Sequence, residues 1–153
     1  MHKSLILVAM VAVSFPVFAA DVGLVKVSRG NVQIERNGAK IAAPVGAAVQ
    51  TSDVILTGAD GSAGITFTDN SLVSVGPNSV FAIDKYTFDS TTHVGEFEGN
   101  LKKGRLAAIS GKMVKQSPES MKIRTPSAIM GVRGTDFVVQ VDEPAATASA
   151  AKY

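Results

Sequence analysis

"DVILTGADGSAGITFTDNSLVSVGPNSVFAIDKYTF", residues 53–88, decides the fold. Short runs of β-branched and aromatic residues alternate in it with turn-forming clusters, which is the pattern of an all-β domain. "TDNS" at 68–71 and "GPNS" at 76–79 bracket the run Leu72–Val75, after which "VFAIDKYTF" alternates again. Asp and Asn tolerate left-handed backbone, Gly adopts it freely and Pro presets the first turn position near φ −65°, so such clusters reverse the chain. Upstream, "VQIERNGAKIAA" sets Asn37-Gly38 between two alternating runs. That pair predicts a two-residue hairpin, because a type I′ turn needs positive φ at both central positions. Asp60-Gly61 carries the same signal and predicts a second hairpin between the runs on either side.

The strands implied are only about five residues long. Their arrangement is expected to be a single domain of short stacked antiparallel strands and hairpins, solenoid-like or sandwich-like. After the first twenty residues, no window of eleven or more shows a sustained 3.6-residue apolar period free of Gly or Pro. "KMVKQSPESMKI" predicts at most one helical turn, limited by Pro118.

Outward from this core, residues 1–20, "MHKSLILVAMVAVSFPVFAA", combine a basic start, an apolar run from Leu5 to Val13, a break at Ser14–Pro16 and small residues at Ala19 and Ala20. This is the pattern of a cleaved signal peptide, and the run is shorter than the roughly 20 residues that span a bilayer. The mature protein is expected to be periplasmic or secreted, without stable membrane insertion. Residues 21–141 then form the β domain. Residues 142–153, "DEPAATASAAKY", read as a flexible Ala-rich tail rather than a docked helix, because they lack an apolar stripe to bury. The chain holds no cysteine, so disulfides, thiol chemistry and CxxC metal sites are excluded.

Charge is segregated along the chain. Residues 53–100 carry Asp53, Asp60, Asp69, Asp84, Asp89, Glu96 and Glu98 against Lys85. Residues 101–124 reverse this, with Lys102, Lys103, Arg105, Lys112, Lys115, Lys122 and Arg124 against Glu119. Lys102, Lys103, Arg105 and Lys112 are therefore candidate contacts for an anionic glycan or an acidic face of an envelope protein. The competing reading is ordinary cross-strand charge pairing, or lysines that guard a sheet edge. No aromatic residues interleave with the bases as a nucleic-acid groove requires, so no nucleic-acid partner is expected.

No catalytic set is expected. His93 is the one histidine outside the opening segment and sits in the loop-like "STTHVGEF". Glu96 and Glu98 share one side of a strand, a superficial likeness to the paired carboxylates of glycan hydrolysis. One histidine and scattered carboxylates give neither zinc nor calcium spacing, so no metal or other cofactor is expected.

The stretch "RTPSAIMGVRGTDFVVQV", residues 124–141, places Pro126, Gly131, Arg133, Gly134 and Thr135 before an apolar alternation. Pro126 biases Thr125 toward extended backbone, and the glycines open angles closed to other residues. The motif reads as a turn into the last core strand. Arg133 is expected to be a buried structural fork, with Asp53 as its carboxylate partner, in preference to a displayed anion grip.

Together these pieces resemble the FecR domain family. The resemblance runs from "VGLVKVSRGNVQIERNG" through residues 44–84 and "GNLKKGRLAAI" to "IRTPSAIMGVRGTDFVV". Asn70 departs from it, standing where the family commonly shows Gly; Asn tolerates positive φ, so the turn is expected to survive. The resemblance implies an all-β periplasmic domain of stacked strands. Founding members are transmembrane regulators that sense an outer-membrane transporter and pass the signal to a cytoplasmic sigma-factor-binding segment. Residues 1–153 show neither that segment nor a spanning helix, so the expectation is the domain's role alone: a non-catalytic binding or sensing module. The alternatives are a structural component of an envelope assembly that self-associates through exposed strand edges, and, with less support, a glycan-acting hydrolase using Glu96, Glu98 or His93.

Overall fold

The computed structural model describes residues 19–134 and 136–142. The expected leader up to residue 18, the tail from residue 143 and Thr135 lie outside the described residues.

Twelve strands and one helical turn make up the described chain: β1 (Asp21–Arg29), β2 (Val32–Arg36), β3 (Ala39–Ala42), β4 (Ala48–Gln50), β5 (Val54–Thr57), β6 (Ser62–Phe67), β7 (Leu72–Val75), β8 (Val80–Phe88), β9 (Gly95–Ile109), α1 (Lys112–Gln116), β10 (Met121–Arg124), β11 (Ile129–Gly131) and β12 (Asp136–Val141). They form one curled sheet whose two halves face each other across a single core, so the domain is all-β. One half runs β4-β1-β6-β7-β9-β12 and the other β3-β2-β5-β8-β9-β10-β11. β9 belongs to both. Its residues 95–103 pair with β8, and residues 104–109 pair with β7 and β12.

Alternation explains the packing. Ala63, Ile65 and Phe67 of β6 point inward, as do Phe97 and Leu101 in the first part of β9 and Leu106 and Ala108 in the second. The odd-to-even switch between Leu101 and Leu106 requires a break in pleat, which Gly104 supplies at φ +94°. A Cβ there would lie 2.0 Å from Ser79 Oγ, so backbone conformation and close approach both demand glycine. At the centre, Phe67, Tyr86 and Phe97 bring both halves together with ring centroids 4.7–5.5 Å apart, within the range of favourable aromatic pairing.

The Asn37-Gly38 hairpin forms as read: β2 and β3 pair, with φ +52° and +79° at the turn. Asn70 adopts φ +67°, so the turn survives without glycine. α1 ends at Gln116, before Pro118. Asp60-Gly61 is a correction. β5 and β6 do not pair with each other but with β2 and β8, and with β1 and β7, respectively. Their connection crosses from one half of the sheet to the other. Its corner stacks between two more: Gly58 N–H donates to Asn31 O at 3.0 Å, and Asn78 N–H donates to Gly58 O at 3.0 Å. The three corners satisfy one another's backbone groups, which is the solenoid-like element of the fold. One pairing, β10 with β9, is parallel.

Candidate functional site

The two motif aspartates that the sequence singled out near turns are buried, and each is satisfied in its own way. Asp53 precedes β5 and is 1% exposed. Arg36, on the neighbouring β2, grips it with Nε to Oδ1 at 2.8 Å and Nη2 to Oδ2 at 2.7 Å, while Gln50 N–H donates to Oδ2 at 2.8 Å. The guanidinium matches the carboxylate as a two-pronged donor. The Asp53 hydrogen bond raises Arg36 above its ordinary pKa. Arg133 is therefore not the partner of Asp53, because β2 already supplies an arginine in register. Among the described residues no cation pairs with Asp69: Ser71 N–H and Oγ–H donate to its two oxygens at 3.0 and 2.6 Å, and Tyr86 O–H donates at 3.1 Å. Burial, first of all, pushes the Tyr86 hydroxyl up to about 12.

The closing motif looks outward. Thr125–Ala128 is the turn of the β10–β11 hairpin, closed by Thr125 N–H to Ala128 O at 2.8 Å. Val132 is the anchor: it is buried, and its N–H donates to Met121 O at 2.9 Å. Ser110 Oγ–H donates to Gly134 O, and Gly134 has φ +124°. Arg133 is 72% exposed and meets Glu119, itself 76% exposed, at 2.6 Å. A buried fork is thus overturned, since Val132 takes the inward position and alternation turns Arg133 to solvent. Gly131 needs no special angle, and a Cβ there would meet open space. β12 pairs with β9 at the edge of its half; Val139 is buried in the core, with Phe137 and Val141 packed against it.

Charge pairing accounts for part of the segregation. Lys85 on β8 bonds Glu96 on β9, and Arg124 on β10 reaches Glu98 at 3.4 Å. Glu96 and Glu98 of β9 therefore each meet a cation on a flanking strand of the same molecule, β8 on one side and β10 on the other. The Lys85 ammonium, hydrogen-bonded to it, holds the Glu96 carboxyl below its usual range, which favours its ionised form. His93 sits in the β8–β9 loop at φ +60°, its ring stacked on Phe88 at 6.1 Å. Asp89 accepts from Thr91 and Thr92 N–H in that loop at 2.7 and 3.0 Å. Among the described residues no three His, Asp or Glu side chains gather at a metal-sized site.

Lys102 and Lys103 line a groove of about 480 Å³, where β9 changes halves, facing Thr125, Pro126 and Ser127 of the hairpin turn and Asp142 after β12. Arg105 lies next to it, its Nη2 donating to Gln140 Oε1 across to β12 at 2.8 Å. Lys112 is not part of this group. It opens α1 beyond the far end of β9, where its N–H donates to Asp69 O at 2.8 Å. The structure thus joins two parts that the sequence treated separately: the basic segment and the Thr125–Ser127 turn of the closing motif.

The sequence pattern of the FecR protein family matches residues 53–152. The chain belongs to the FecR family. This is a regulatory and signalling family of typically periplasmic sensing domains. The match begins at Asp53, so Arg36, which completes the Asp53 turn, comes from outside the matched region. No curated protein and no solved structure matches the chain. Among the described residues no helix is long and apolar enough to cross a membrane.

Proposed function

We propose that this FecR domain is exported to the periplasm and serves there as a non-catalytic binding and sensing module, holding an anionic envelope partner in the groove between Lys102, Lys103 and the Thr125–Ser127 turn. The observation that carries it is the groove itself. Two lysines, two hydroxyl-bearing residues and the strand-changing kink of β9 converge where the closing family motif turns. Ammonium groups supply charge attraction to carboxylates or phosphates, and the hydroxyls supply orientation.

Export rests on the basic, then apolar, then small-residue order of residues 1–20. The non-catalytic reading rests on the engagement of the carboxylates: Glu96 is held by Lys85, whose ammonium keeps it ionised and poorly suited to protonate a leaving group, and Glu98 meets Arg124 at 3.4 Å. The test is capture by crosslinking in intact cells, comparing the natural chain with Lys102→Glu/Lys103→Glu. One envelope component should be captured by the natural chain and reduced at least tenfold in the variant, with the melting temperature unchanged. Equal capture by both would remove the groove from the account. Hydrolysis of envelope polysaccharide that Glu96→Gln abolishes would replace the module with an enzyme.

A further inference from the structure

The outer faces of the two halves differ in kind. Across β8, β9 and β10 the outward side chains are charged and paired, as Lys85–Glu96 and Glu98–Arg124 show. The outer face of the other half is largely apolar. Strand register places Val27, Gly64, Ser74, Ala107 and Val138 in one row across β1, β6, β7, β9 and β12. The next row is Leu24, Thr66, Leu72 and Ile109, capped by Asp136. Five of the large exposed hydrophobic residues fall here: Leu24, Val27, Leu72, Ile109 and Val138, each 41–67% exposed. Gly64, Ser74 and Ala107 line a shallow trough between them. Contiguous apolar surface of this kind marks an interaction face.

Most charge stands at the two ends of the strands and differs in sign there, with Lys26 exposed at the β1 bulge beside Leu24 and Thr66. Arg29 pairs with Ser62, and Arg105 with Gln140, in the register at one end. Asp136, opposite Ile109, and Asp21, bonded by Gln50, stand at the other. We infer that this face binds a second copy of the same chain, about a two-fold axis that runs across the strands. That axis preserves the lateral position of each strand and reverses its direction. It lays Arg29 over the partner's Asp21 and Arg105 toward the partner's Asp136, with the two apolar rows against each other. A self-complementary patch is what an isologous interface requires. An anionic membrane would be attracted at one end of this face and repelled by Asp21 and Asp136 at the other.

Strand spacing of about 4.8 Å and a rise of about 3.3 Å per residue give each face roughly 400 Å², so two together bury on the order of 800 Å². That is at the small end for specific association. The dimer is accordingly weak and concentration-dependent.

Sedimentation velocity of the full mature chain from about 1 to 500 μM tests this. The natural chain should pass from monomer to dimer within that range. Ser74→Arg, at the centre of the row, and Val138→Asp, on an exposed edge strand that tolerates substitution, should each abolish the dimer while keeping the far-UV dichroism spectrum. Arg105→Asp should weaken it about tenfold, and adding Asp136→Arg to that variant should restore it. A monomer at every concentration, a dimer indifferent to Ser74→Arg and Val138→Asp, or failure of the double charge exchange to restore association would overturn the inference. Flotation with phosphatidylglycerol vesicles that these two variants abolish would assign the face to membrane instead.

Discussion

The region matched by the family divides into two parts that fold into opposite environments. From Asp53 to Ser79 four polar residues are internal: Asp53, Asp69, Ser71 and Ser79 are buried, and each is spent on hydrogen bonds that hold a corner or turn. From Thr125 to Gly134 they are external: Pro126, Ser127, Arg133 and Gly134 are exposed, and Val132 alone is driven inward. A motif residue in the first part is an instrument of the fold, because an unmet buried polar group is costly. In the second part the same kinds of residue are displayed beside a basic groove. Membership of one family pattern therefore says nothing by itself about which residues hold and which are offered.

Substitutions can break this division, and the strongest are internal. Gly104→Val forces a β-branched side chain onto positive φ and into Ser79. It should cost at least about 3 kcal/mol, enough to leave much of the chain unfolded; a thermal melt close to that of the natural protein would contradict the close approach. Arg36→Met strands the Asp53 carboxylate in the interior with only the Gln50 amide, for an expected loss of about 3 kcal/mol. Denaturant titration reads it directly. Asp69→Ala leaves Ser71 and Tyr86 groups without their acceptor, for about 2 kcal/mol.

Tyr86 sharpens the comparison through pH. Its hydroxyl has a folded pKa of about 12 against an ordinary value of 10.0. The raised value means that its contribution is complete below about pH 10 and is lost as pH climbs through about 12. The natural protein should thus lose stability between these limits by a component that Tyr86→Phe lacks, seen in urea midpoints at pH 9 and pH 11.5. The smallest effect belongs to the displayed part. Arg133→Ala removes an exposed ion pair with Glu119 and should change stability by no more than about 0.5 kcal/mol. A drop of 2 kcal/mol would reinstate the arginine as a structural fork.

Much of this architecture was legible in the sequence. Alternation and turn chemistry are local, so the all-β class, the Asn37-Gly38 hairpin, the left-handed Asn70 and the arrest of α1 before Pro118 follow from neighbouring residues. Partner choice is not local. The Asp60-Gly61 signal reports that the chain turns, but whether its strands pair or cross to the other half depends on the stacked corners at Asn31 and Asn78. Arg36 finds Asp53 through the β2–β5 register, which no spacing rule along the chain reveals. The apolar face was hidden for the same reason: its rows emerge only after the register shift in β1 between Val25 and Val27 and the switch at Gly104 have set which residues point outward. Within the groove, Lys102 and Lys103 were visible as a charge run, while their placement beside Thr125–Ser127 depends on the parallel pairing of β10 with β9.

The most direct test of the groove places a photo-crosslinking amino acid at Ser127, inside it, and separately at Lys40, on the distant edge strand β3. In intact cells, illumination should yield one discrete adduct from position 127 that Lys102→Glu/Lys103→Glu removes, and none of the same size from position 40. Identical adducts from both positions, or an adduct at 127 that survives the double charge reversal, would contradict the assignment of the groove as the partner's binding site.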